Sequence, residues 1–238
     1  MKKILLSLSL IASLNAASIS VATAPNYPPY EYIEDGILKG FDVEIINEIG
    51  KRIGIEIEFK YMDFDGLIPT LKSGKVDLIG AILKKTPIRQ KAVDFTIDFK
   101  QSSNYLLVKN TFNNIPTELK NCKEYSYENA KFGAELGSVQ YDISKKLGEN
   151  VNGYANNGVA ILALQNNKID FLCIDKSAAV KFIEKNPDLK IYCEYPDEAG
   201  QGFAVNKGNT ELLEKINKAL QDMLDDGTIK KIGDKYGI

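Results

Sequence analysis

Short apolar runs typical of strands alternate with helix-like segments along nearly the whole chain. The first part runs strand, helix, strand, helix, strand, and ends in the apolar run of residues 76–82. After a polar segment at residues 110–130, the same alternation resumes at Lys131 and continues to Glu194. This order predicts an α/β fold with parallel sheets, in which the carboxyl ends of the strands border a crevice.

The periodicity of the apolar residues sets the expected elements. Residues 25–36 contain three prolines and are expected to form an irregular loop. The expected strands cover residues 18–24, 55–59, 76–82, 105–108, 131–135, 151–155, 169–174 and 189–194. The expected helices cover residues 42–54 with Asp42 as the cap, 64–72, 138–147, 159–165, 177–185 and 210–224, with a last short helix closing at Gly237. The helices at the carboxyl end of the chain are expected to pack on the first group of alternating strands and helices, which forms a first lobe.

Residues 1–17 have the pattern of a secretory signal peptide. Two lysines precede an apolar run from Ile4 to Leu14, and small residues follow at Ala16 and Ala17. The run is shorter than the roughly 20 residues that a membrane-spanning helix needs. Because this stretch contains no cysteine, no lipid anchor on a mature amino-terminal cysteine is expected.

Composition excludes several classes of function. The chain has no histidine, which excludes His-based catalytic triads and His-ligated metal sites. Without the two lysines of the signal peptide, 28 basic side chains stand against 32 acidic ones. Nucleic acid is therefore not an expected partner, and neither a cofactor nor a metal is expected.

Three cysteines occur in the chain, so at least one thiol is free or pairs with another chain. Cys173 lies in the apolar run DFLCID and is expected to be a buried core thiol. Cys122 and Cys193 are then the expected disulfide.

The stretch from Lys75 to Phe95 has the features of an anion site. After the apolar strand, Thr86 can cap a short helix and Pro87 takes its first position, so that backbone N–H groups and Arg89 point at one place. Such donors and a bidentate guanidinium suit a carboxylate. The alternative is a surface loop with one solvated arginine.

Several motifs together resemble the polar amino acid-binding periplasmic proteins of ABC importers, the family 3 extracellular solute-binding proteins. The resemblance covers nearly the whole mature chain. It is carried by Tyr27-Pro28-Pro29-Tyr30-Glu31, Gly40-Phe41-Asp42, Phe64-Asp65-Gly66-Leu67-Ile68-Pro69, Thr86-Pro87-x-Arg89, Ala92-Val93-Asp94-Phe95, Gly137-Ser138, Ile169-Asp170 and Asp175-Lys176.

The resemblance implies a type II periplasmic binding protein, with two α/β lobes joined by a two-segment hinge and closing on one amino acid. The expected organisation is a signal peptide at residues 1–17, a first lobe from residues 18–107 and 200–238, and a second lobe from residues 108–199. Residues expected at the ligand carboxylate are Arg89, Lys84, Ser138 and Val139. Residues expected at the ligand ammonium are Asp175 and Ile82. Residues expected around the ligand side chain are Tyr27, Phe64, Glu135 and Tyr30.

Each of these residues also has an ordinary structural role open to it. Asp175 could cap the helix near Ser177, Ser138 is a good cap in either case, and Tyr27 and Phe64 could be packing residues. For Asp175, the presence of Arg89 at the position where the family binds the ligand carboxylate favours the role of binding the ligand ammonium.

Two departures from the family pattern bear on the ligand. Lys84 stands where the family commonly has a threonine or serine whose hydroxyl supports the ligand carboxylate. That hydrogen bond is either replaced by the Lys84 ammonium or lost. Alternatively, Lys84 could attract the side chain of an acidic ligand. Glu135 replaces a frequent glutamine and could receive a guanidinium or ammonium. Against this, Ala24 lies where some binders of basic ligands carry an aspartate. A basic ligand, arginine or lysine, is favoured over a neutral polar or an acidic amino acid.

The resemblance implies a binding protein and not an enzyme. Its expected partners are a free L-amino acid and, transiently, an inner-membrane ABC permease, and the protein is expected to be a periplasmic monomer. An alternative is an exported cyclohexadienyl dehydratase-like enzyme on the same fold, but a substrate without an ammonium gives no reason for Asp175. A receptor sensory domain is a weaker alternative, because no membrane segment or signalling domain follows.

Overall fold

The computed structural model describes residues 18–113 and 115–238, and the predicted signal peptide lies outside these residues. The strands are β1 Ser18–Thr23, β2 Asn26–Tyr27, β3 Glu31–Glu34, β4 Ile37–Lys39, β5 Glu56–Tyr61, β6 Leu78–Ile79, β7 Val93–Phe95, β8 Lys100–Gln101, β9 Asn104–Lys109, β10 Lys131–Glu135, β11 Asn150–Tyr154, β12 Phe171–Asp175, β13 Leu189–Tyr195, β14 Gly200–Gln201 and β15 Ala204–Asn206. The helices are α1 Phe41–Ile53, α2 Leu67–Lys72, α3 Pro87–Ala92, α4 Val139–Leu147, α5 Asn157–Gln165, α6 Lys176–Lys185, α7 Thr210–Asp225 and α8 Thr228–Tyr236. Short 3-10 helices cover Phe64–Gly66 and Cys122–Glu124.

Two five-stranded sheets form the centres of two lobes. Their orders are β5-β1-β6-β15-β7 and β11-β10-β12-β9-β13. In each sheet the first three strands are parallel, as the alternating pattern predicts. The fourth strand, β15 or β9, is antiparallel to its neighbours. Each of these two strands follows a crossing from the other lobe, so it starts at the edge where the parallel strands end and must run the opposite way.

The crossings lie side by side. Strands β8 and β14 pair as a small antiparallel ladder that links the two lobes by two segments. Since β9 belongs to the second sheet, the first crossing ends before Asn104. The expected boundary after residue 107 therefore falls inside a strand and is too late, because the sequence pattern marks β9 as a strand without showing which sheet it joins.

The proline-rich segment is more regular than expected. Strands β2, β3 and β4 form a three-stranded sheet within the expected loop and just after it. Asp35 and Gly36 both have positive φ angles, 53° and 76°, as the tight turn of a hairpin requires. The Asp-Gly pair is the sequence signal for this hairpin.

Asp42 does not cap helix α1, contrary to the sequence expectation. Gly40 takes the cap position with a φ of 133°, and a Cβ there would lie 2.0 Å from the carbonyl oxygen of Tyr30. Asp42 instead lies in the first turn, fully buried, and its Oδ2 accepts the N–H of Ile82 at 2.6 Å. Because the main chain at Tyr30 lies so close, only glycine fits at this cap position.

The carboxyl-terminal helices pack on the first lobe, as expected. Helix α7 contacts α1 and α8, and α8 also contacts α1. The buried face of α7 consists of Leu212, Ile216, Ala219, Leu220 and Met223. Within residues 18–113 and 115–238, no helix has the length and apolarity needed to cross a bilayer.

The expected disulfide joins Cys122 to Cys193 in the second lobe, and Cys173 is a buried free thiol. The bond connects strand β13 to the segment before β10 across 71 residues of sequence. It therefore restricts a long loop in the unfolded chain.

Removal of this bond should destabilise the protein. The double substitution C122S/C193S is expected to lower the free energy of unfolding by about 2 to 4 kcal/mol, because the unfolded chain regains the entropy of the loop. Chemical unfolding with and without reductant measures the effect. Reductant should reproduce the loss in the native protein and add nothing in the double variant; an equal response of the two proteins would contradict the assignment.

Candidate functional site

A narrow cleft with a cavity volume of about 20 Å³ lies between the lobes. It collects all the sequence-predicted site residues except Tyr30, together with two glutamines that sequence reasoning did not single out. Its lining consists of Tyr27, Phe64, Ile82, Lys84, Arg89, Glu135, Ser138, Val139, Gln140, Asp175 and Gln201. Residues that lie as far apart along the chain as Tyr27 and Gln201 are thus brought to one place at the ends of the strands.

Arg89 provides a buried positive charge on the first lobe. Thr86 caps α3 by accepting the N–H of Arg89 at 3.2 Å, and Pro87 occupies the first position of the helix, as expected. The Arg89 side chain is 8% exposed, and its guanidinium donates to the carbonyls of Lys84 and Gly137, each at 3.0 Å. Burial lowers the pKa of Arg89 to about 10, so it stays cationic at neutral pH.

The guanidinium of Arg89 has N–H donors that its bonds to the two carbonyls do not use. Two of its five N–H groups serve these carbonyls, which fix the plane of the group, and it lies 5.5 Å from the centroid of the Phe64 ring. A small anion in the cleft can use the other donors. The bond to Gly137 reaches the second lobe, so Arg89 also joins the lobes directly.

The amino terminus of helix α4 approaches the same place from the second lobe. Ser138 caps this helix by accepting the N–H of Tyr141 at 3.1 Å, and its hydroxyl donates to the carbonyl of Glu135 at 2.6 Å. Val139 is the first residue of the helix and lines the cleft. Ser138 therefore has the expected capping role, whatever else its hydroxyl contacts.

Asp175 carries the negative charge on the opposite side of the cleft. Its Oδ1 accepts the N–H of Ser177 at 2.9 Å, which caps α6, and the hydroxyl of Tyr30 at 2.8 Å. Its Oδ2 is buried and has no hydrogen-bond partner within the described part of the chain. One oxygen thus serves the fold and the other is available to a ligand, so capping and ligand binding do not compete.

Two tyrosines of the first lobe form hydrogen bonds with Asp175. Tyr30 is fully buried and lies outside the cleft lining, and its hydroxyl donates to Oδ1 of Asp175, so it orients this carboxylate; its expected contact with the ligand side chain stays a prediction. The hydroxyl of Tyr27 accepts the N–H of Asp175 at 3.0 Å, and its ring lines the cleft.

Ile82 lines the same cleft in a strained conformation. Its φ is 41°, a value that a β-branched residue rarely adopts. The bond from its N–H to Asp42 holds it there. Burial raises the pKa of Asp42 to about 7, although this bond opposes the rise. Backbone strain of this kind occurs where a binding site requires it.

Glu135 is a second acidic group on the cleft wall. It is 7% exposed, and the side-chain amide of Asn157 donates to its Oε2 at 3.2 Å. Burial raises its pKa to about 8, against the bond from Asn157, and the charges of Asp63 and Asp65 add to the rise. Another buried carboxyl, Glu31, has its pKa raised by burial first and then by Asp42.

Lys84 does not direct its ammonium at the ligand position, contrary to both roles considered for that group. Its side chain is 2% exposed, and its Nζ bonds to Oδ2 of Asp197 at 2.6 Å and to the carbonyl of Ser102. The physical reason is that a buried ammonium requires acceptors, and the hinge segments provide a carboxylate and a carbonyl. Its main chain does border the cleft.

Sequence reasoning missed four polar residues of this region: Asn157, Asp197, Gln140 and Gln201. Gln140 donates to the side chain of Asn104 at 2.8 Å, and Gln201 has a buried Oε1 without a hydrogen-bond partner among the described residues. No local pattern marks them, because their positions depend on the hinge and on the second lobe. No cluster of acidic or cysteine side chains within the described residues could hold a metal ion.

The buried carboxyl of Glu135 should make stability depend on pH. Its ordinary pKa of 4.5 rises to about 8 in the folded protein, so unfolding releases a proton between these values and stability falls as pH rises. The free energy of unfolding of the native protein, relative to that of Glu135→Gln, should fall by up to about 4 kcal/mol from pH 5 to pH 8. Denaturant titrations at several pH values measure it. Glu149→Gln, at an exposed position, is the control, and parallel pH profiles for the native protein and Glu135→Gln would contradict the burial argument.

Known proteins resemble this chain over almost its full described length. A model of the bacterial extracellular solute-binding proteins, family 3, matches residues 19–238. A probable histidine-binding protein of Campylobacter jejuni is 38% identical over 224 residues, which cover 92% of this chain and 84% of that protein. The arginine-binding extracellular protein ArtP of Bacillus subtilis is 34% identical over 224 residues, covering 91% and 84%.

A solved structure shows the same fold. An ancestral arginine-binding protein bound to arginine superposes with a TM-score of 0.85 and 35% identity, over 92% of this chain and 98% of that chain. The two sheets, the paired crossings and this likeness identify a type II periplasmic binding protein with a two-segment hinge. The chain belongs to the family 3 bacterial extracellular solute-binding proteins.

Proposed function

We propose that this protein binds one free L-amino acid between its lobes and delivers it to an inner-membrane ABC permease. The observation that carries the proposal is the pair of opposite charges in one cleft: spare donors of Arg89 on one side and the unpaired Oδ2 of Asp175 on the other. An α-amino acid presents a carboxylate and an ammonium a few ångströms apart. The buried site therefore complements both ends of a zwitterion.

The ligand carboxylate binds Arg89, the main-chain amides of Lys84 and Val139, and Ser138. The ligand ammonium binds Asp175 and the carbonyl of Ile82. The carboxylate of Asp175 favours this function over a dehydratase-like enzyme, because a substrate without an ammonium leaves Oδ2 buried and unpaired. The protein acts without cofactor or metal, as a periplasmic monomer released from its signal peptide.

The ligand is a basic amino acid, arginine or lysine before histidine. Glu135 adds a carboxyl group to the wall, beside the rings of Tyr27 and Phe64 that shield the ligand side chain from water. Lys84 offers no compensating free charge to an acidic ligand, since its ammonium is bonded to Asp197. Two relatives are named as a probable histidine-binding protein and an arginine-binding protein, which supports the same choice.

Calorimetry on protein stripped of ligand by unfolding and refolding tests the function. Each of the twenty amino acids is titrated, and binding of a basic one is expected; no heat with any of them would refute amino acid binding.

Arg89→Ala should weaken binding by at least about 30-fold, because it removes the partner of a buried carboxylate. The same calorimetric titration measures the loss. Arg52→Ala, which removes an arginine bonded to Glu48 and Asp226 away from the cleft, is the matched control. Unchanged affinity in Arg89→Ala would place the ligand carboxylate elsewhere.

Glu135 should couple the binding of a basic ligand to pH. A cation in contact with Glu135 requires the ionised carboxylate, so binding releases a proton below the pKa of about 8. Affinity for arginine should therefore rise, by up to about tenfold per pH unit, from pH 6 to pH 8 and then level off. Glu135→Gln should flatten this profile and weaken arginine far more than glutamine. An unchanged pH profile, or equal losses for the two ligands, would refute the contact with Glu135.

A further inference from the structure

The ion pair of Lys84 and Asp197 joins three separate segments at the back of the cleft. Lys84 lies between β6 and α3 in the first lobe, whereas Asp197 lies between β13 and β14, at the second crossing. The second acceptor of the ammonium, the carbonyl of Ser102, belongs to the first crossing. One buried charge thus ties the first lobe to both hinge segments.

Asp197 is held firmly enough to fix its partner. Its Oδ1 accepts the N–H of Ala199 at 3.0 Å, and Nδ2 of Asn104 lies 3.4 Å from its Oδ2. Partial burial disfavours the ionised form of Asp197, but the bonds from Lys84 and Ala199 outweigh it and lower its pKa. The carboxylate is therefore ionised at neutral pH and fixed to the hinge.

The main chain of Lys84 connects this ion pair to the cleft. Its carbonyl accepts from Nη1 of Arg89 at 3.0 Å, and its backbone pairs with Gln201 of β14. The orientation of the guanidinium depends on that carbonyl and on the carbonyl of Gly137. A shift of Lys84 would therefore turn Arg89 relative to the ligand.

We propose that Asp197 is a positioning residue for the ligand carboxylate, acting through the Lys84 ammonium on the segment whose carbonyl orients Arg89. This inference rests on the proposed amino acid function of the cleft. It assigns to Lys84 a structural charge in place of a direct contact with the ligand. It also predicts that the effect of Asp197 is confined to the carboxylate end of the site.

A pair of ligands that differ only in the carboxylate isolates this effect. Arginine and its decarboxylated form, agmatine, share the guanidinium and the amine; if lysine is the ligand, lysine and cadaverine serve equally. Calorimetry with both ligands is carried out on the native protein, Asp197→Asn, Lys84→Met and Glu198→Gln. Glu198 is the neighbouring, exposed acid and serves as the matched control.

Asp197→Asn and Lys84→Met should each weaken arginine by about 10- to 100-fold, as expected for loss of a charged hydrogen bond that orders the site. Agmatine should weaken by no more than about threefold, because it makes no use of the Arg89 end of the cleft. Glu198→Gln should leave both affinities unchanged. The ratio of the two affinities is a readout that a general loss of structure would not move.

Two results would overturn the inference. Tighter arginine binding by Asp197→Asn would mean that the released ammonium of Lys84 contacts the ligand directly. Equal weakening of arginine and agmatine would mean that the ion pair only supports the fold. If Asp197→Asn does not fold because it leaves a buried charge unpaired, the double variant K84M/D197N removes both charges and should still lose the preference for arginine over agmatine. Failure of the native protein to bind any amino acid would instead refute the proposed function itself.

Discussion

Two buried charges of opposite sign, held in place by main-chain groups, are the constraint on which the cleft depends. Taking a guanidinium or a carboxylate out of water is costly, so each must be bonded by the protein before a ligand arrives. Carbonyls of Lys84 and Gly137 bond Arg89, and a helix cap with a tyrosine hydroxyl bonds Asp175. Each group keeps part of its bonding capacity for the cleft. The site is thus preorganised for the proposed ligand, whose two charged ends match the hydrogen-bonding groups that the fold leaves unused.

The same groups also connect the lobes. Arg89 reaches from the first lobe to Gly137 in the second, and the two tyrosines reach from the first lobe to Asp175. The paired crossings at β8 and β14 form one narrow antiparallel ladder between the lobes. Because the antiparallel strands β9 and β15 follow this ladder along the chain, the hinge is continuous with an interior strand of each sheet.

Much of this arrangement follows from local sequence, and the rest depends on distant contacts. Thr86 and Pro87 define the start of α3 by their own side chains, so Arg89 could be placed on a helix terminus before any tertiary contact was known. The family resemblance supplied the second-lobe residues, such as Asp175, which composition and spacing alone would have left as a helix cap.

The partners of Lys84 and Glu135 could not be predicted in this way. Lys84 and Asp197 are separated by 113 residues and meet only because the chain crosses the hinge twice. Asn157 reaches Glu135 only because β10 and α5 pack together in the second lobe. The boundary at residue 107 failed for a related reason, since an apolar strand does not reveal which sheet it will enter. Asp35-Gly36, by contrast, is a local hairpin signal that the sequence does contain, and the expectation of an irregular loop overlooked it because the segment is rich in proline.

The contacts of Tyr27 and Tyr30 with Asp175 have a kinetic consequence. Both hydroxyls belong to the first lobe, whereas Asp175 belongs to the second, so separation of the lobes must break two hydrogen bonds at the residue proposed to hold the ligand ammonium. The two tyrosine hydroxyls therefore contribute to the rate of ligand release and, through that rate, to the affinity.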